Sequence, residues 1–279
     1  MNNYSSVNLN GKLYDFDSPK IMGIINVTPD SFYADSRSFT TEVIKPRIDK
    51  LLSEGADMLD IGGYSTRPGA VDITPQEEFD RLARALEVIR RDYPDTIVSI
   101  DTFRAEVARR CIEGFHADII NDVAGGTLDP EIWDVVAEHK VPYILMHMRG
   151  TPNTMQTLTD YEDVTRDVIL DLAQKVDQLH AKGVADIILD PGFGFAKTVE
   201  QNFQLMRELE EFKRMELPLL VGISHKTMIW KPLGITPAEA LNGTTVLNTI
   251  ALQKGADILR VHEVRPAVEA RELVRMLNA

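Results

Sequence analysis

Short apolar runs alternate along this chain with longer stretches in which apolar residues return every three or four positions. The runs at 21–27, 58–61, 96–101, 118–121, 143–147, 187–190, 219–224 and 258–261 have strand length and near-continuous apolarity, as strands buried on both faces require. Helical spacing occupies 76–91, 105–114, 161–182, 199–213, 237–254 and 265–277, and in the first of these Phe79, Leu82, Leu86 and Ile89 line one face. Strands alternating with helices predict an α/β fold, a parallel sheet covered by helices. One local pattern recurs, in Gly55-Ala56-Asp57-Met58-Leu59-Asp60, Ala117-Asp118-Ile119-Ile120-Asn121, Gly183-Val184-Ala185-Asp186-Ile187-Ile188-Leu189-Asp190 and Gly255-Ala256-Asp257-Ile258-Leu259-Arg260. In three of these a glycine ends a helix, the chain turns, and an apolar strand runs out to a polar residue. Recurrence towards both chain ends favours a closed (β/α)8 TIM barrel over an open doubly wound sheet, and no G-x-G-x-x-G turn follows the first strand. Residues 7–16, turning at Asn10-Gly11, predict a short N-terminal hairpin that plugs the bottom of the barrel.

The 279 residues match the roughly 250 of one such barrel, and no linker divides them, so a single domain over 1–279 is expected. A net charge of −13 argues against nucleic-acid or anionic-membrane partners, which need a basic face. An anionic substrate must then be held by a few local cations. Cys111 is the only cysteine; it forms no internal disulfide and reads as a small buried apolar residue of a helix. The first residues lack a signal-peptide pattern, and no apolar stretch approaches the roughly 20 residues of a membrane span, so a cytoplasmic enzyme is expected.

The expected strand ends carry Asn26, Asp60, Asp101, Asn121, His147, Asp190, Ser224 with Lys226, and Arg260 with His262. In a barrel these ends share one mouth. Taken singly, each is as readily a cap or turn residue. Taken together they converge carboxylates that repel unless a ligand, metal or cation pairs them. Loops follow at Asn26-Val27-Thr28-Pro29-Asp30-Ser31-Phe32 and at Gly62-Gly63-Tyr64-Ser65-Thr66-Arg67-Pro68-Gly69, the second setting glycines beside a lone arginine, as a segment closing over an anion requires. Gly222-Ile223-Ser224-His225-Lys226-Thr227 follows the seventh strand, where barrels often bind anions. A phosphorylated substrate is the expectation. His147 reads as a satisfied structural group, and Met146 and Met148 as pocket wall or core.

These residues resemble dihydropteroate synthase over 26–32, 60–69, 99–101, 121–122, 145–148, 189–195, 222–227 and 260–262. The resemblance runs from about Ile21 to the C-terminus, and the order and spacing of its motifs make it specific. It implies condensation of 6-hydroxymethyl-7,8-dihydropterin pyrophosphate with p-aminobenzoate to 7,8-dihydropteroate and pyrophosphate, a folate-synthesis step and the sulfonamide target, assisted by Mg²⁺ in a homodimer built on C-terminal helices. By that resemblance Asp101, Asn121 and Asp190 read the pterin edge and Lys226 reaches its oxygen and ring nitrogen. Asn26, Thr66, Arg67, Arg260 and His262 hold the pyrophosphate, with the Asn26 oxygen on Mg²⁺. Phe32, Thr66, Arg67, Pro68, Phe195 and Thr227 receive p-aminobenzoate, its carboxylate near the helix after Lys226. Asp101, Lys226, Arg260 and His262 are the implied catalytic set; Asp60 positions its neighbours.

Four positions depart from the family pattern. Tyr64 stands where glutamate is common, with little effect expected. His225 replaces a common arginine and alters the floor of the p-aminobenzoate pocket. Ala196 replaces a frequent glycine, and Asp35 is displaced by one position from the family's acidic residue. Rival readings are a methyltetrahydrofolate–corrinoid methyltransferase-like barrel, a pterin-binding barrel without turnover, and a Schiff-base aldolase using Lys226. The last is disfavoured because acidic neighbours are expected to raise that lysine's pKa.

Overall fold

The computed structural model describes residues 5–28, 41–65 and 71–278. It opens on the hairpin: β1 (Ser6–Leu9) pairs antiparallel with β2 (Lys12–Asp15). Asn10 and Gly11 between them both have positive φ, 52° and 82°, as a two-residue turn matching the strand twist requires. Val7, Leu9 and Phe16 then pack on Met22, Met58, Ile119, Ile144, Ile188, Leu220 and Ile258, residues drawn from seven barrel strands. The hairpin is the floor of the barrel, as expected.

The eight apolar runs become β3 (Lys20–Asn26), β4 (Met58–Gly62), β5 (Ile97–Asp101), β6 (Ile119–Asp122), β7 (Tyr143–Met146), β8 (Ile187–Asp190), β9 (Leu220–Val221) and β10 (Ile258–Val261). All run parallel in the order β8-β7-β6-β5-β4-β3-β10-β9. A bridge from Leu189 to Leu219, with the Leu189 N–H donating to the Pro218 carbonyl at 2.8 Å, joins the two ends of this order. The helices are α1 (Thr41–Ser53), α2 (Pro75–Asp92), α3 (Ala105–Phe115), α4 (Ile132–His139), α5 (Val164–Ala181), α6 (Val199–Arg207), α7 (Thr227–Leu233), α8 (Leu241–Gln253) and α9 (Val264–Leu277). α2 shows why such segments are helical: the Thr74 hydroxyl caps the Glu77 N–H, Pro75 opens the first turn, and Arg90 and Arg91 close the last. Gly55, Gly183 and Gly255 all have positive φ at helix ends, so the recurring pattern is a helix stop followed by a strand.

Three expected boundaries change. The run at 219–224 is strand only over Leu220–Val221, because the turn closed by the Lys226 N–H on the Ile223 carbonyl takes its second half. The segment 237–254 breaks into a 3₁₀ turn, Pro237–Glu239, and α8, since Thr236 and Glu239 form a capping box of their own. The helix begun at Val199 ends at Arg207 and continues as 3₁₀ turns over Leu209–Met215. α1 and α4 had no pattern as clear; one contains Pro46 and the other has eight residues.

Strand periodicity grades the barrel interior from floor to mouth. The register sets inward positions Met58, Asp60 and Gly62 on β4 beside Ile97, Ser99 and Asp101 on β5, then Ile119 and Asn121 on β6. On β10 Ile258 gives way to Arg260. On β4, β6, β8 and β10 one step of two residues therefore carries the strand from apolar floor to polar mouth, at Asp60, Asn121, Asp190 and Arg260.

Candidate active site

The mouth opens into a cleft of about 1700 Å³ lined by Asn26, Asp101, Asn121, Asp190, Lys226 and Arg260, among others. Arg260 is its electrostatic centre. Nε donates to Asp60 Oδ2 at 2.6 Å and one Nη donates to Asp101 Oδ2 at 2.6 Å. Asp60 is fully buried, and its Oδ2 also accepts from Asn121 Nδ2 at 3.0 Å while Oδ1 has no partner among the described residues. Two carboxylates thus share one guanidinium. Burial, reinforced by Asp60, Glu78 and Asp122, pushes Asp101 up to about 7 against the pull of Arg260. Burial opposes the charge on Arg260, but Asp60 and Asp101 outweigh it and hold its pKa above the usual value.

On the far wall Asp190 accepts the Gly192 N–H at 2.8 Å, and burial raises it against the charge of Lys226. Lys226 bonds the Phe193 carbonyl and lies 4.6 Å from the centre of the Phe195 ring. Its acidic neighbours were expected to raise it. Instead burial dominates, and despite Asp190 it falls to about 8. The loop between them is clipped from below by Lys197, whose Nζ reaches the carbonyls of Gly192 (2.9 Å) and Phe195 (3.0 Å) and His147 Nδ1 (3.1 Å). Burial, reinforced by the positive charges of Lys197 and Lys175, drives the His147 pKa well below the usual value, so its ring is neutral. His147 is the satisfied structural histidine that was expected. Gly192 has no substitute here: its φ is +70° and a Cβ would lie 2.0 Å from the His147 carbonyl oxygen.

The third side belongs to His262 and Asn26. His262 Nδ1 pairs with Ser224 Oγ at 2.9 Å. Arg47 of α1 donates to the His262 carbonyl at 2.6 Å and the Ile24 carbonyl at 3.3 Å, tying the ends of β10 and β3. Asn26 Oδ1 lies 3.4 Å from where a Cβ on Gly62 would stand, with the Asp101 side chain on the other flank at 3.5 Å. A glycine there lets β4 run between the two polar groups.

The sequence profile of the pterin binding enzymes matches residues 22–262. A dihydropteroate synthase of Synechocystis is 45% identical over 247 residues, covering 88% of this chain and 85% of that protein. The Yersinia pestis dihydropteroate synthase, solved with a sulfonamide drug complex, superposes with a TM-score of 0.91 at 36% identity over 98% of this chain and 99% of that one. The Xanthomonas albilineans dihydropteroate synthase, solved with 4-aminobenzoic acid, does so with a TM-score of 0.91 at 34% identity over 99% of both.

This chain belongs to the dihydropteroate synthase family. Within a dihydropteroate synthase framework the described positions Asn26, Asp101, Asn121, Asp190, Phe195, Lys226, Thr227, Arg260 and His262 all line the same cleft. Phe32, Asp35, Thr66, Arg67 and Pro68 lie outside the described residues. Asp60 stands beneath the cleft as a positioning group. Of the departures, Tyr64 packs edge-on against Phe103 with centroids 5.1 Å apart and the Arg104 guanidinium over its ring. Ala196 has left-handed backbone, at φ 48°, a conformation that glycine adopts without strain. Lys197, Arg47 and Asp122 escaped the sequence reading as site-building residues. Asp122 accepts the Ala124 and Gly126 N–H groups and the Tyr143 hydroxyl, fixing the loop after β6. Only Asp122 left a signal, as the partner of Asn121 in a matched motif.

Proposed function

We propose that this chain condenses 6-hydroxymethyl-7,8-dihydropterin pyrophosphate with p-aminobenzoate, releasing 7,8-dihydropteroate and pyrophosphate. The observation that carries the reading is the joining, at one barrel mouth, of an Asp101–Asn121–Asp190–Lys226 wall to Arg260 and His262. The wall has carboxylate and amide groups to read the adjacent N–H donors and carbonyl of an aminopyrimidinone, and a lysine for its oxygen and ring nitrogen. A ring lacking those groups would leave them unpaired, rejecting it on the order of 10⁴-fold. The Xanthomonas relative, solved with 4-aminobenzoic acid, supports the p-aminobenzoate half of this reading.

In this reaction the methylene C–O bond breaks first and its electron pair leaves with pyrophosphate. Asp101, ionised and close to the vacated carbon, stabilises the positive charge that develops. The anion is received by Asn26, Thr66, Arg67, Arg260 and His262. Arg260 has one Nε and one Nη committed to carboxylates, which leaves the other Nη for it. The neutral aniline nitrogen then donates its lone pair to the carbon, and its proton passes to solvent; no protein base is needed. Phe195, with Phe32 and Pro68, flanks the p-aminobenzoate ring, and Thr227 on the exposed rim, with Thr66 and Arg67, receives its carboxylate. A hard amide oxygen in the cleft suits Mg²⁺, which keeps most of its waters, so Asn26 would be its protein ligand. Bound there, the ion would neutralise pyrophosphate charge.

Pairing of two copies through α8 and α9, where Val246, Leu273, Met276 and Leu277 are exposed, belongs to the same proposal. No described helix is long and apolar enough to cross a membrane. The deciding experiment measures pyrophosphate release from the dihydropterin pyrophosphate with Mg²⁺, with and without p-aminobenzoate, in the wild type and in Lys226→Ala and Arg260→Ala. Release that yields dihydropteroate when p-aminobenzoate is present and collapses in both variants is expected. Folded protein that binds the pterin without turnover would overturn the synthase reading.

A further inference from the structure

The turn that carries Lys226 hangs on a histidine. His225 sits between β9 and α7 with left-handed backbone, φ 55°, and its N–H donates to Thr244 Oγ1 of α8 at 3.2 Å. Both ring nitrogens are engaged. Nδ1 bonds the carbonyl of Pro237, and Nε2 stands 2.8 Å from Glu263 Oε2. A peptide carbonyl only accepts, so Nδ1 carries a proton; a carboxylate only accepts, so Nε2 carries one too. A neutral imidazole has a single N–H. Making both bonds at once requires the imidazolium.

We propose that His225 is a positioning residue that works as an imidazolium, strapping the Ser224–Lys226 turn to the Pro237 turn and to the end of β10, and so holding the p-aminobenzoate side of the cleft in shape. The inference rests on the reaction proposed above. Three segments are tied by this one ring: the turn bearing Lys226 and Thr227, the 3₁₀ turn before α8, and Glu263 beside His262. All three line the cleft.

The charged and titratable groups around the ring come from each packed element. Glu263 faces it from the β10–α9 junction, and the His262 ring meets it edge-on with centroids 5.6 Å apart. Lys226 follows it in its own turn, α8 offers the neutral Thr244, and Arg47 of α1 acts on Glu263 from behind. Burial works against a charge on His225, but the Pro237 carbonyl and Glu263 outweigh it and raise its pKa above the ordinary histidine value. The sign follows from that direction. Below the raised value the strap is complete; as pH climbs through it one N–H is lost and one acceptor faces a lone pair. An arginine at this position would be a permanent cation with five donors and would have no such transition.

The test is the KM for p-aminobenzoate, with kcat, from about pH 6 to about pH 9, the window in which histidine titrates. In the wild type KM rises on the order of tenfold across it, the worth of one charge-assisted hydrogen bond. His225→Arg keeps a low and flat KM. His225→Gln shows the high KM at every pH. Nitrogen NMR of histidine-labelled wild type, assigned against the His225→Gln and His225→Arg spectra, provides a readout that needs no turnover. The signals absent from the His225→Gln spectrum should show both nitrogens protonated at neutral pH. A neutral His225 tautomer there, or an Arg variant with the wild-type pH slope, overturns the proposal. Failure to make dihydropteroate at any pH sinks the reaction instead, and the NMR result still decides the charge of His225.

Discussion

The floor and the mouth of this barrel are built on the same strands, two residues apart, and obey opposite rules. At the floor Met58, Ile119 and Ile258 close on Val7, Leu9 and Phe16 of the hairpin, and every contact removes apolar surface from water. One step up, Asp60, Asn121 and Arg260 occupy the same face of the same strands. There two carboxylates share one guanidinium, Asp60 Oδ1 lacks a partner among the described residues, and burial raises Asp101 and Asp190 while lowering Lys226. The mouth holds buried polar groups whose desolvation costs stability, and the apolar floor offsets that cost. Mutations should therefore separate: stability without activity at the floor, activity at the mouth.

Arg260→Met should have the largest effect. It removes an anion donor from the leaving-group side and leaves Asp60 and Asp101 without their cation. Turnover should fall at least ~10²–10³-fold, the worth of one preorganised donor. Stability should fall by about 3–5 kcal/mol, as when one partner of a buried ion pair is deleted. Adding Asp60→Asn should return much of the stability and none of the turnover, read by urea denaturation and product formation in parallel. Recovery of both would mean that Arg260 only props the fold.

Phe16→Ala tests the other half of the contrast. The ring is 5% exposed and plugs the floor, so its loss should cost about 3–5 kcal/mol. The kcat at a temperature where the variant is folded should stay within about twofold of wild type, since transition-state contacts lie in the mouth. A large fall in kcat with intact stability would show that the floor shapes the site directly.

Asp101 gives a smaller effect through pH. Burial and its acidic neighbours place its pKa about 7, above an ordinary aspartate. The carboxylate is the form proposed to stabilise the developing charge, so kcat/KM for the dihydropterin pyrophosphate should rise through about pH 7, and be low and flat in Asp101→Asn. The stability sign is the reverse. A carboxyl raised on folding contributes fully below its unfolded value near 4 and loses that contribution as pH climbs to about 7. Asp101→Asn should therefore gain on the wild type in urea midpoint over that interval. A wild type whose kcat/KM is flat from about pH 6 to about pH 8 would place the ionisation of Asp101 lower, with Arg260 winning over burial.

The floor and the strand ends were legible in the sequence because their signals are local. Near-continuous apolar runs of strand length, a glycine stop before three of them and a polar residue at their ends are local consequences of backbone geometry, and they located Asp101, Asn121, Asp190 and Arg260 without a structure. The supports of those residues were not legible. Lys197 and Arg47 are single cations with no period around them, and each acquires its role from carbonyls that only the fold brings near. Lys226 was misjudged for a related reason. Its neighbours in sequence and on adjacent strands suggested a raised pKa, but desolvation depends on everything packed around it and outweighs them. β9 shrank to two residues because a turn competed for its second half, a contest that apolarity alone does not score.

Ala196 supplies the smallest effect and the finest test of how the mouth tolerates strain. Its φ of 48° is left-handed, a region that costs an L-residue about 1–2 kcal/mol. Glycine would relieve that cost, but it would add about 0.5–1 kcal/mol of unfolded-chain entropy. It would also remove a fully buried methyl group from the cluster of Val123, Met146, Met148 and Met155, worth about 0.8 kcal/mol. The opposing effects nearly cancel, so Ala196→Gly should leave stability within about 0.5 kcal/mol of wild type by urea denaturation. A gain beyond about 1 kcal/mol would mean that the methyl packs poorly and the strain is real. A loss of that size would mean that Tyr161, whose hydroxyl donates to the Ala196 carbonyl at 2.9 Å, already holds this backbone without strain, and that the methyl is part of the pocket wall behind Phe195.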